Sequence, residues 1–151
     1  MPAEDARYRT KVYLDTYITD ANLTEDDDTT EVTWISAFGK PKYSIVRVFT
    51  DKEVDLIFSI EEPVSTPLMQ YDMTTWGYRE QVPILTYCID KPTITGDLLK
   101  WKANRELRRV FETYPFGSVR HLTDQTDNDQ IIGGTKVYST KWTFNYRRDT
   151  T

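Results

Sequence analysis

The chain has 151 residues, the length of one ordinary domain, and can bury roughly 70% of the surface its unfolded form exposes. It therefore needs neither disulfide nor metal to fold, and its single cysteine, Cys88, cannot close a disulfide within the chain. A net charge of −5 argues against non-specific nucleic-acid binding. No apolar run approaches the ~18 residues of a membrane span, and the opening Met1-Pro-Ala-Glu-Asp-Ala-Arg7 lacks the apolar core of a signal peptide, so a soluble product assembled inside a cell is expected.

Residues Ala6 to Ile18 fit two patterns. Tyr8, Thr10, Val12, Leu14, Thr16 and Ile18 alternate as in a strand, which their β-branched and aromatic character favours. Tyr8, Val12 and Ile18, with Leu14 or Asp15 between them, also form a loose helical stripe, and the choice stays open. Thr19 to Thr30 reads as an exposed acidic loop. Its run Glu25-Asp-Asp-Asp28 lacks the spaced ligands and turn glycine of a calcium loop. Asn22-Leu-Thr24 matches a glycosylation acceptor, which means little without a secretion signal.

Glu31 to Ile60 predicts a three-stranded meander. Val32 to Phe38, Tyr43 to Thr50 and Val54 to Ile60 each alternate, with turns at Gly39-Lys-Pro-Lys42 and Asp51-Lys-Glu53. Glu61 to Thr75 contains Pro63 and Pro67 and keeps no period, so a long loop is expected there. Trp76 to Gln81 begins the next strand, with Gly77 as a bulge point.

Val82-Pro-Ile-Leu-Thr-Tyr-Cys-Ile89 is apolar on both faces, as a central strand covered on each side would be. A helix follows from about Asp97 to Tyr114, capped by Thr95 or Asp97 and stopped by Pro115. Leu99, Ala103, Leu107, Val110 and Tyr114 form its inner stripe, widened by Phe111. Lys102, Arg105 and Arg109 are placed together on the opposite side. The helix carries five bases, Lys100, Lys102, Arg105, Arg108 and Arg109, against Asp97, Glu106 and Glu112. Such a basic face could dock the acidic patch of a second copy, or simply be solvated.

Pro115 to Gly134 is expected as a second long loop. Counting from Asp127, positions six and twelve are Ile132 and Tyr138, where a calcium hand requires Gly and Glu, so Asp124, Asp127 and Asp129 are not read as a metal loop. Gly133-Gly134 frees the backbone for a turn into the last strand. From Lys136 to Tyr146, Tyr138, Trp142, Phe144 and Tyr146 point one way, while Ser139, Lys141, Thr143 and Asn145 point the other.

Catalytic signatures are missing. One histidine, His121, and one cysteine cannot build a zinc site, and no nucleophile elbow, phosphate loop or dinucleotide fingerprint is present. Cofactors and metals are not expected. The aromatics alternate with polar residues along strands, a pattern that fits core packing or subunit contacts better than base stacking.

The order of elements resembles the tail terminator and tail-completion proteins of tailed viruses. The resemblance rests on Gln81-Val-Pro-Ile-Leu-Thr-Tyr-Cys-Ile-Asp90, the helix Leu98 to Tyr114, and Gly134-Thr-Lys-Val-Tyr-Ser-Thr-Lys-Trp-Thr-Phe-Asn-Tyr146. Tyr8-Arg-Thr-Lys-Val-Tyr-Leu14 falls where that family has its first helix. The resemblance implies one α+β domain, a single mixed or antiparallel sheet packed by one long helix. It implies a non-enzymatic virion subunit that forms a ring, commonly a hexamer, capping the tail tube and joining it to the head. Its partners would be further copies of itself, the tube and the neck proteins, with no membrane and no sequence-specific nucleic acid. Lys102, Arg105, Arg109, Tyr138 and Trp142 are the interface candidates, and the segments 61–75 and 115–134 the contact loops. Two other classes fit the same elements: another small α+β interaction module that closes no ring, and an enzyme whose carboxylates are assembled in a pocket by the fold.

Overall fold

The computed structural model describes residues 6–39, 42–51, 53–70, 76–114 and 120–150, with 42–44, 68, 69, 76, 120–124 and 146–150 given by backbone alone. Ala6–Tyr17 is helix α1. The threonines that favoured a strand are accommodated by donating to carbonyls one turn back, Thr10 to Ala6 at 2.7 Å and Thr16 to Val12 at 2.6 Å. Tertiary contact then fixes the helix: the Tyr13 hydroxyl reaches the carbonyls of Val110 and Tyr114 at 3.0 and 2.7 Å.

The expected meander is corrected to a strand, a helix and a strand: β1 (Trp34–Phe38), α2 (Lys42–Asp51) and β2 (Leu56–Ile60). The two strands pair in parallel, Trp34 opposite Leu56 and Phe38 opposite Ile60, and parallel neighbours need a crossover rather than a tight turn. Ile45 and Phe49 also satisfy helical spacing and are buried, with Val46 and Val48 packed at their flanks. The crossover overrides the β-propensity of these residues.

Both expected loops contain strands. Val64–Gln70 is β3, paired with the first half of β4 (Trp76–Cys88), and its register shifts between Pro67 and Met69, where an edge strand can tolerate proline. Arg120–Asp127 is β5 and Gln130–Ile132 is β6. Both pair with β7 (Thr135–Thr150), and Asn128 N–H donates to the Ser139 carbonyl between them. Gly133 and Gly134, at φ 57° and 81°, make the two-residue turn from β6 into β7.

The result is one mixed seven-stranded sheet in the order β1-β2-β4-β7-β5, with β3 beside β4 and β6 beside β7. Helix α3 (Gly96–Thr113) and α1 pack on one face, through Leu14, Leu99, Leu107, Phe58, Ile84, Trp142 and Phe144 among others. On the other face α2 covers Ile57, Leu85, Tyr87 and Val137. Among the residues whose side chains are described, the buried apolar clusters reach Val82 and Phe144 along the long central pair, and Glu80 beyond them is buried too. Beyond them β4 and β7 run on, Gln81 opposite Asn145 to Trp76 opposite Thr150, with β3 and the start of β5 alongside. At ~3.3 Å per residue this ribbon adds about 20 Å of sheet. Its flanking strands come from the segments 61–75 and 115–134 expected as contact loops, of which 71–75 and 115–119 lie outside the described residues.

Candidate interaction surfaces

Helix α3 begins as its sequence predicts. Thr95 is extended, and its side chain accepts from Leu98 N–H at 3.3 Å. Leu99, Ala103, Leu107, Val110 and Phe111 are buried and Tyr114 packs at their margin. The basic side is where the structure departs from expectation. Lys102 is 3% exposed, and its ammonium lies 2.8–3.1 Å from the Thr24 and Glu25 carbonyls, Thr24 Oγ1 and Asp28 Oδ1. The acidic loop thus folds over this lysine, with Asp28 at φ 58°. Asp27 accepts from the Thr29 and Thr30 N–H groups and from the Thr30 hydroxyl, which hold its carboxyl well below the usual carboxylate range. Lys91 reaches the same loop at Glu25 and also pairs with Asp55 at 2.8 Å.

Arg109 also turns inward. Its Nε donates to Glu106 Oε1 at 2.6 Å and its Nη2 to Glu106 Oε2 at 2.9 Å and the Tyr17 carbonyl at 3.1 Å. Glu106 is buried and accepts further bonds from Thr19 N–H and Asn22 Nδ2. Burial pushes its carboxyl up, but the Arg109, Thr19 and Asn22 donors together hold it below its ordinary value. Arg105 alone of the three stays outside, its guanidinium 4.6 Å from the ring of Trp101.

Tyr138 and Trp142 belong to the core. The Tyr138 ring packs on Gly96, where an added Cβ would meet it at 2.0 Å, and its hydroxyl lies 3.2 Å from Asp90 Oδ2. Trp142 is 3% exposed, and its indole N–H donates to Asn104 Oδ1 at 3.0 Å. Of the five interface candidates, Arg105 is exposed, Arg109 is half-buried, and Lys102, Tyr138 and Trp142 are buried.

Cys88 is sealed. Its thiol faces the Gly96 carbonyl at 3.5 Å, and burial pushes it up to about 12, away from thiolate chemistry. His121 pairs across β7 with Asn145 and Cys88 with Tyr138, so the two lie seven residues apart along the strand, about 23 Å. They form no pair. Asp127 and Asp129 accept from Lys100 at 3.2 and 3.1 Å, a protein cation between two carboxylates. Among the described residues, no group of three or more His, Cys, Asp or Glu is arranged to hold a metal ion, and no helix is long and apolar enough to cross a membrane.

The outward features are apolar side chains and sheet edges. Trp101 (55% exposed) beside Arg105 forms a ridge on α3, and Tyr8 and Val12 form another on α1. Position 101 lies opposite the Leu99–Ala103–Leu107 stripe, so its exposure was readable from helical spacing. Ile131, near the β6–β7 turn, is 76% exposed, and no sequence pattern marked it. Among the described residues β1 pairs only with β2 and β5 only with β7, which leaves an outer edge on each. An open groove of 460 Å³ is lined by Asp20, Glu31, Val32, Thr33 and Trp34. An apolar cavity of 100 Å³ lies between α2 and the β1–β2 edge.

No protein-family model matches the chain, and no curated protein is significantly similar to it.

Proposed function

We propose that the chain is a non-enzymatic structural subunit that works by associating with further copies of itself in a ring, as tail terminator-like proteins of tailed viruses do. The observation that supports this reading is the ribbon in which β3, β4, β7 and β5 extend the sheet by about 20 Å, with an outer edge on β3 and on β5 among the described residues. An open strand edge presents unpaired N–H and C=O groups that a further chain can extend. Its flanking strands belong to the segments 61–75 and 115–134 expected to make contacts. The exposed Trp101–Arg105 ridge adds the residue types that dominate protein interfaces.

Light scattering over a concentration series, followed by negative-stain electron microscopy, tests the reading. Rings of about six subunits are expected; a strict monomer at every concentration would overturn self-association as the working state of the isolated chain. Arg105→Glu should weaken assembly at low salt and leave the melting temperature unchanged. An α+β module that closes no ring is the second reading, favoured by the internal neutralisation of the acidic loop by Lys91 and Lys102, which removes the charge pair expected to join copies. Open-ended or dimeric species in the same experiment would select it.

A further inference from the structure

Helix α3 turns one stripe of side chains away from the sheet. Asp97, Trp101, Arg105, Arg108 and Glu112 are its exposed charged and aromatic residues, and their spacing of three or four puts them on one face. Within that face Asp97, Trp101 and Arg105 form a single ridge at every fourth residue. Its two charges lie about 12 Å apart along the helix, with the indole between them.

These two charges are the ones that α3 leaves without a partner of opposite sign. Lys100, Lys102 and Arg109 are ion-paired within the chain, the last to Glu106, and Arg108 donates to Gln125. Among the described residues neither Asp97 nor Arg105 makes an ion pair, and the Arg105 guanidinium rests on the Trp101 ring. An acid and a base one step either side of an aromatic form a pattern that complements itself. Two such ridges laid antiparallel, about a two-fold axis at Trp101, bring Asp97 of each copy level with Arg105 of the other. Laid parallel, they set acid against acid and base against base, so the order of charges selects the antiparallel arrangement.

We propose that α3 of one copy docks antiparallel on α3 of a second copy through Asp97, Trp101 and Arg105, with an Asp97–Arg105 pair on each side of the two indoles. The contact goes beyond the ring reading. A two-fold contact uses the same patch on both copies and is complete at two, so it cannot close a ring by itself. Beside a head-to-tail contact it joins two rings face to face; without one it gives a dimer.

The test compares the full chain as wild type, Asp97→Arg, Arg105→Asp and the double variant, by light scattering at low salt and by melting. Each single variant opposes like charges at both ends of the contact, so association should weaken at least tenfold and the wild-type mass should fall by half. Equal amounts of the two single variants should recover that mass as one-to-one pairs, and the double variant should recover it alone. Asp97 lies in the first turn of α3, where an acid suits the helix dipole. If Asp97→Arg therefore melts lower, Trp101→Ala at the exposed centre is the second disruptive variant. Folded single variants that keep the wild-type mass, or that stay apart when mixed, would overturn this contact and leave the ring reading standing. Unpaired wild-type rings would do the same. A wild-type chain monomeric at every concentration would overturn both.

Discussion

Lys102 has three N–H donors and four acceptors within 3.1 Å, all supplied by residues 24–28 of its own chain. Lys102→Ala would leave the Thr24 carbonyl facing a cavity without its ammonium donor, while the Glu25 carbonyl keeps Asp28 N–H at 3.0 Å, and should cost about 2–4 kcal/mol in denaturant unfolding. Self-association measured well below the unfolding midpoint should not change. Glu106 gives a pH signature. Its folded-state value lies below the ordinary 4.5, so its stabilisation is complete above that pH and is lost as pH falls through the folded value. The melting temperature should therefore fall as pH drops below about 4.5. Glu106→Gln should start lower at neutral pH and show a shallower acid slope.

At the scale of elements, Gly96 sets how closely α3 approaches β7. A Cβ there would lie 2.0 Å from the Tyr138 ring, so Gly96→Ala must push the ring off its place. A destabilisation of about 1–3 kcal/mol is expected, read by thermal unfolding with near-ultraviolet dichroism following the tyrosine. This contact also shows what a sequence can and cannot display. Helix α3 was legible because one stripe, one cap and one stop signal agree, and β7 because apolar and polar residues alternate along it. Helix α2 was not, because Ile45, Val46, Val48 and Phe49 fit either period and only the parallel pairing of β1 with β2 decides between them. Strands β3 and β5 were missed for another reason. They lie along the outer sides of the ribbon, where a strand needs no apolar alternation. The basic face failed at the level of single side chains, since periodicity places a lysine on a side of a helix but cannot show which loop will cover it.

For the whole molecule, the position of β7 has a consequence for how the chain can be made. It lies between β4 and β5, yet it is the last of the strands in sequence. Its pairings with β4 run from Cys88–Tyr138 to Trp76–Thr150, the most distant register in the sheet. Contacts of that span form slowly, because a long loop must close before they are rewarded. During synthesis, β4 emerges with one side paired to β2 and β3 and the other bare, and α3 follows with half its apolar stripe uncovered. Neither is completed until residues 135–150 leave the ribosome. Ribosome-stalled chains that have not yet exposed those residues should be cut by protease within β4 and α3, whereas released chains resist. The interval between the two is when a chaperone would have the most to hold.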